Sequence, residues 1–203
     1  MYSDESSVQN STNCPDGWIF RLPKDKWKEW AINESEHVKS CLLYMVWGGI
    51  WIVGRSELQV MERDEDSPKN GYSARSYIKI LEEGLLPHYT PGRFFWQDNA
   101  RIHIAKITEP WLESHGISVA EHPPNSPDLN PIEHIWKAMK SILRSDHRYL
   151  KGLKDNTKSR VIFIRALKAV WWAVPLGLID GLIHSMPRRY HAVRRNRGWY
   201  TKY

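Results

Sequence analysis

Apolar and polar positions change period several times along the chain, and each change marks an element. Trp18–Leu22 reads as a short strand stopped by Pro23, and Leu42–Val53 as a long buried strand, aromatic and β-branched through most of its length. Gly54-Arg55 turns the chain, and Glu57-Leu58-Gln59-Val60-Met61 then alternates as a half-exposed antiparallel strand does. The opening is therefore a meander of strands. Asp64–Gly71, rich in charge and carrying Pro68, is a loop. Ile78, Leu81 and Leu85 recur at helical spacing and predict a first helix over Ser73–Leu86, ended by Pro87. Phe94-Phe95-Trp96 is a short buried strand that gives out into Gln97-Asp98-Asn99, and a second helix follows as far as His115, stopped by Gly116. Ile117–Ala120 is the next strand, and Pro123-Pro124-Asn125-Ser126-Pro127-Asp128 a rigid loop. Ile132, Ile135, Trp136, Met139 and Leu143 line one face of a third helix. Val161, Ile164, Leu167, Val170 and Trp171 mark a fourth, which ends or kinks near Pro175, and a short fifth runs to Ser185.

Strands first, then strand and helix in alternation, predict an α/β domain with a mixed sheet and helices on its faces. Neither a repeat nor a long linker divides the chain, and 203 residues with 41% hydrophobic suffice for one sizeable core. Trp47, Trp51, Trp96, Trp111, Trp136, Trp171 and Trp172 are assigned to that core rather than to base stacking. Cys14 and Cys41 form no CxxC pair, which excludes a disulfide framework and a four-thiolate zinc site and points to a reducing compartment. The start, MYSDESSVQN, lacks the basic and apolar regions of a secretory signal, so an intracellular protein is expected. Leu42–Val53 is too short, and Val161–Ile183 too charged, to cross a bilayer.

Charge adds a partner. Lys and Arg number 29 against 23 Asp and Glu, a net of +6, and Arg188, Arg189, Arg194, Arg195, Arg197 and Lys202 account for all of it, with no acid after position 180. Interleaved with Tyr190, His191, Trp199 and Tyr200, this stretch suits a phosphate backbone, although a solvated charged tail has the same composition.

Three carboxylates fall at element ends where a mixed sheet gathers its ligands: Asp4 after Met1-Tyr2-Ser3, Asp98 where Phe94–Trp96 gives out, and Glu133 in the first turn of the third helix. Brought together they repel, and a divalent cation relieves the repulsion; oxygen-only ligands select Mg²⁺ or Mn²⁺. Each has a plainer reading. Asp4 is an exposed acid near a chain start, Asp98 with Asn99 a turn or cap pair, and Asn130-Pro131-Ile132-Glu133 a capping box with proline at its first helical position.

Whole segments decide between these. WQDNARIHIAK followed by HPPNSPDLNPIEHIWKAMK resembles the catalytic, DDE superfamily endonuclease domain of the mariner superfamily of DDE transposases, in which 34 residues separate the second and third acids as they do Asp98 and Glu133. The resemblance extends to YSDESSV, YMVWGGI, SYIKILEEGLLPHY and SMPRRYHAVRRNRGWYTKY. It implies an RNase H-like fold, a mixed five-stranded sheet with a three-strand antiparallel meander and then alternating helix and strand, helices covering both faces. Residues 1–187 form that domain and 188–203 a basic C-terminal extension. It implies that Asp4, Asp98 and Glu133 are the catalytic residues and hold two Mg²⁺ ions, with Mn²⁺ as a substitute and no small-molecule cofactor. Water first hydrolyses a phosphodiester at the transposon end, and the freed 3′-hydroxyl then attacks target DNA. Asn99, His103 and Asp128 are secondary site candidates, and Arg188, Arg189, Arg194, Arg195, Arg197 and Lys202 are the DNA-binding set. A homodimer or pairing with a full-length transposase, and a nuclear location, follow from the same family.

The beginning departs from the family pattern. Relatives carry a helix-turn-helix region ahead of the catalytic domain, absent before Met1, and only three residues precede Asp4 in what should be a central strand. A weakened first strand and a poorly fixed Asp4 are therefore expected. Two readings result: a transposase catalytic domain without its own site selection, or a non-catalytic remnant that binds DNA through its basic end. Another RNase H-like nuclease or integrase would lack the Ser-Pro-Asp-Leu-Asn-Pro-Ile-Glu segment.

Overall fold

The computed structural model describes residues 1–10, 41–121, 126, 129–198 and 201. The strand expected at Trp18–Leu22, Cys14, most of the proline loop with Asp128, and Lys202 lie outside the described residues. The elements are β1 (Tyr2–Gln9), β2 (Leu43–Trp51), β3 (Gly54–Arg55), β4 (Gln59–Val60), α1 (Ala74–Ile80), β5 (Phe94–Phe95), α2 (Thr108–Ser114), β6 (Ser118–Val119), α3 (Ile132–Asp146), α4 (Thr157–Ala173), α5 (Leu176–His184) and α6 (Met186–Arg195).

β2 is antiparallel to β1 from Tyr2↔Ile50 to Gln9↔Leu43, and on its other edge to β3 and β4. β5 and β6 pair in parallel, Phe94 opposite Ser118. The two sheets meet along β1: Tyr2 bridges Trp96 in parallel, the Ser3 amide donates to the Trp96 carbonyl at 2.9 Å, and the Trp96 amide donates to the Met1 carbonyl at 2.8 Å. Alternation on β2 divides the core. Val46 and Ile50 pack with Ile132, Ile135, Trp136, Met139, Leu167 and Trp171 of α3 and α4. Trp47 points the opposite way, into Tyr77, Ile80, Leu81, Leu85, Phe95 and Leu112 around α1 and α2. Helices therefore cover both faces of a mixed sheet.

β1 corrects the sequence reading. Asp4 does not end a short strand; it lies within one of eight residues, because the chain continues extended through Ser6 and Val8 along the whole of β2. Few apolar side chains hold this strand, and buried amides anchor its ends instead. Asn10 Nδ2 donates to the carbonyls of Leu150 and Leu153 at 3.1 and 3.0 Å, its Oδ1 accepts from the Leu42 amide at 2.8 Å, and Asn130 Nδ2 donates to the Ser3 carbonyl at 3.3 Å.

Three further expectations change. Gly54-Arg55 is paired as β3, since the buried Arg55 guanidinium donates to the Trp171 and Val174 carbonyls at the end of α4 and holds the segment against β2. The second helix begins only at Thr108. Asp98 Oδ1 accepts from the Ala100 amide at 2.8 Å and Thr108 Oγ1 donates to the Ile102 carbonyl at 2.7 Å, side-chain bonds that compete with helix over 99–107. Trp172 is 49% exposed rather than core, its indole lying beside Arg55 and Glu57 at the surface. The start of the predicted basic extension is helical, in α6. No single helix among the described residues is long and apolar enough to cross a membrane.

Candidate catalytic site and nucleic-acid face

Backbone ties place the three acidic positions at one end of the sheet. Ser3, next to Asp4, is bonded on one side to Trp96, two residues before Asp98, through both its amide and its hydroxyl, the latter at 3.0 Å. On the other side its carbonyl accepts from Asn130, three residues before Glu133. Ser3 and Asn130 are thus the hub of the arrangement, and nothing in their residue types announced it.

Asp4 faces α3. It stands opposite Gly48 of β2, and a Cβ on Gly48 would lie 2.8 Å from Trp171 Cη2 and 3.1 Å from Trp136 Cη2. The glycine lets the two indoles, 5.2 Å apart between centroids, lie against the sheet. Trp136 Nε1 then donates to Asp4 Oδ2 at 2.9 Å. Contrary to the expectation from the short start, Asp4 is held firmly. Burial pushes its carboxyl up to about 8; Glu5 and Glu133 add to the rise, while the Trp136 indole and the Glu5 amide pull against it. Lys140, one turn beyond Trp136, is drawn down by burial and held up by the fields of Glu133 and Asp4. Asn130 Oδ1 accepts from the Ile132 amide at 3.4 Å, the cap half of the capping-box reading, while the Glu133 side chain is exposed.

Glu5, adjacent to Asp4 in the strand, faces the other side of the sheet. There its Oε2 and Oε1 lie 3.1 and 3.3 Å from His103 Nε2. His103 Nδ1 lies 2.7 Å from Asp98 Oδ1 and 2.9 Å from the Asp98 carbonyl. The ring is 1% exposed and packs 4.3 Å from Tyr77, whose hydroxyl donates to Gln97 Oε1 at 2.6 Å. Burial alone would lower the His103 pKa, but the side-chain bonds to Asp98 and Glu5 outweigh it and raise the group to about 10, a cation at neutral pH. Asp98 itself is half exposed. Asn99 is exposed beside it.

Among the described residues no group of three His, Cys, Asp or Glu side chains closes around a point where a metal ion would sit. The donor chemistry nevertheless fits one. Asp4, Asp98 and Glu133 offer only hard oxygens, and the charges of Glu5 and Glu133, which add to the rise that burial gives the Asp4 carboxyl, are of the sign a divalent cation would neutralise.

α6 borders this end of the sheet. Tyr190 packs against Trp96, which stacks on Tyr2. Arg188, Arg194, Arg195 and Arg197 are exposed. Arg189 is not: it is 2% exposed, and its Nε donates at 2.9 Å to the hydroxyl of Ser185, one turn earlier in the chain.

A mixed sheet between two helical layers, with Asp4 within β1, Asp98 beyond β5 and Glu133 in the first turn of α3, defines the class as α/β. Residues 1–155 match the family described as DDE superfamily endonuclease. The transposable element Tc1 transposase of Caenorhabditis elegans is 35% identical over 208 residues, covering 100% of this chain and 70% of that protein. The Tcb2 transposase of Caenorhabditis briggsae is 34% identical over 131 residues, 63% of this chain and 45% of that protein. The crystal structure of the mariner Mos1 paired end complex with Mg superposes with a TM-score of 0.64 at 20% identity, over 98% of this chain and 56% of that one, a similarity of fold. The chain belongs to the DDE superfamily endonuclease family, and its fold and sequence are those of a transposase catalytic domain. It spans less than half the length of the Tcb2 transposase.

Proposed function

We propose that this domain cleaves DNA phosphodiesters at a transposon end and joins the freed 3′-hydroxyl to target DNA, using divalent metal held by Asp4, Asp98 and Glu133. The observation that carries this reading is the hub at Ser3, which ties together the segments bearing all three acids, with Asp4 and Glu133 in each other's field. Two Mg²⁺ ions, with Mn²⁺ as a substitute, would activate the attacking oxygen and neutralise charge on the leaving one.

The chain's own residues do the rest. Trp136 fixes the Asp4 carboxylate by a hydrogen bond to Oδ2 and walls that side of the site from water. Glu133 reaches out from the first turn of α3, whose rigid helix sets its height above the strand ends. Lys140, on the same helix, offers a cation to a phosphate oxygen near Asp4 and Glu133. Arg188, Arg194, Arg195 and Arg197 hold the DNA backbone beside the strand ends, whereas Arg189 packs α6 onto the domain. Two copies working together on two transposon ends, in the manner of the Mos1 paired end complex, fit the same reading.

Nicking of plasmid DNA in Mg²⁺ tests it. Asp98→Asn and Glu133→Gln should each abolish nicking while leaving salt-sensitive DNA binding in place. Nicking that survives both substitutions refutes the assignment.

A further inference from the structure

Asp98 lies beyond the last paired residues of β5, on a segment that is neither strand nor helix, so its carboxylate needs support from elsewhere. Besides the Ala100 amide, which donates to Asp98 Oδ1 at 2.8 Å, a buried imidazole supports it. His103 Nδ1 faces both Asp98 Oδ1 and the Asp98 carbonyl, its Nε2 faces both oxygens of Glu5 on β1, and Tyr77 of α1 closes the ring's flat side. The ring thus spans from the strand that carries Asp4 to the loop that carries Asp98.

We propose that His103 is a positioning residue, a buried clamp that fixes the Asp98 carboxylate through Nδ1 while Glu5 anchors Nε2. The inference rests on the reading of Asp98 as a metal ligand. Glu5 has no place among the ligands; strand alternation sends it to the face away from Asp4, where it serves the second aspartate. Partners of this outer kind fix the orientation of a ligating carboxylate, and their removal costs about 10–100-fold in metal affinity or activity.

The two ring nitrogens can be tested apart, because an asparagine amide reaches roughly where Nδ1 stands and a glutamine amide roughly where Nε2 stands. The measurement is Mn²⁺ affinity of the full 203-residue chain by titration calorimetry, with thermal unfolding recorded for every variant. His103→Ala should weaken Mn²⁺ binding by about 10–100-fold. His103→Asn should recover most of the loss, and His103→Gln little of it. In an Asp98→Asn background His103→Ala should add nothing, since the histidine acts through that carboxylate. Recovery by glutamine but not asparagine, wild-type affinity in His103→Ala, or additive losses in the double variant each overturn the clamp. If His103→Ala fails to fold, the asparagine and glutamine variants still decide. Wild-type Mn²⁺ binding that Asp98→Asn leaves intact overturns the metal reading itself, and the clamp with it.

Discussion

Replacing Asp4 by asparagine should stabilise the metal-free protein, and only above acidic pH. The carboxyl titrates at about 8 when folded against an ordinary 3.8. Below 3.8 both folded and unfolded chains are protonated and the difference vanishes. As pH rises the unfolded chain ionises first, so the folded state loses stability across the window from 3.8 to about 8 and no more beyond it. At about 1.4 kcal/mol per unit the gap corresponds to an upper value of roughly 5–6 kcal/mol. Asp4 is only half-buried at the surface, and solvent screening reduces the expected effect to roughly 2–3 kcal/mol. For a chain of this size that is about 5–10 °C in Tm. Asparagine keeps an oxygen for the Trp136 indole but cannot ionise, so the packing is unchanged. The assay is thermal unfolding in a chelator from pH 4 to 9, wild type against Asp4→Asn, read as a difference curve. His103, raised from 6.5 to about 10, contributes stability that is present below 6.5 and lost as pH climbs to 10, equally in both proteins, and it cancels in the difference. Added Mn²⁺ should restore wild type at pH 8 and leave the variant unmoved. A flat difference curve, or a variant less stable than wild type at pH 8, refutes the account of Asp4.

The neighbours of Asp4 give further tests. Trp136→Phe keeps most of the ring but removes the bond to a charged acceptor, worth about 1.5–3 kcal/mol, and should raise the upper end of the Asp4 window by about one to two pH units in the same unfolding assay. Gly48→Ala forces the two indoles off the sheet, and overpacking of about 1–3 kcal/mol should appear as a lower denaturation midpoint together with weaker Mn²⁺ binding. Joint replacement of Arg188, Arg194 and Arg195 by alanine should reduce the slope of log K for DNA against log salt by up to about 3, whereas Arg189→Ala should lower Tm and leave that slope nearly unchanged.

The regular parts of the fold were legible because one face of each is apolar. Ile132, Ile135, Trp136, Met139 and Leu143 repeat at helical spacing and α3 spans Ile132–Asp146; the aromatic and β-branched run around Tyr44–Trp51 became β2. β1 was not legible beyond Asp4, since Ser-Asp-Glu-Ser-Ser-Val-Gln presents little apolar surface and its extended form depends on pairing with β2. The delayed start of α2 depends on side-chain bonds from Asp98 and Thr108 that no periodicity reveals. α6 escaped notice because Arg-Arg-Tyr-His-Ala-Val-Arg-Arg reads by charge as a tail, yet Arg189 and Tyr190 pack inward. Within the site, the acidic positions stood out at predicted element ends, and the resemblance to a family decided between their functional and plainer readings. Trp136, Glu5 and Asn130 are tertiary partners; only the rule that neighbours in a strand point to opposite faces would have singled out Glu5.

That rule makes alignment of the first strand decisive for chemistry. A slip of one position against β2 would exchange Asp4 with its neighbour, delivering a longer acid to the indole and withdrawing the shorter one to the histidine side. Such a chain could still be compact, because only Val8 and Tyr2 would leave greasy surroundings. Fidelity therefore falls to the asparagine clasps at either end, Asn10 and Asn130, which accept one alignment and reject the next. Weakening them should yield a mixture of folded but inert molecules, an error of threading rather than of collapse.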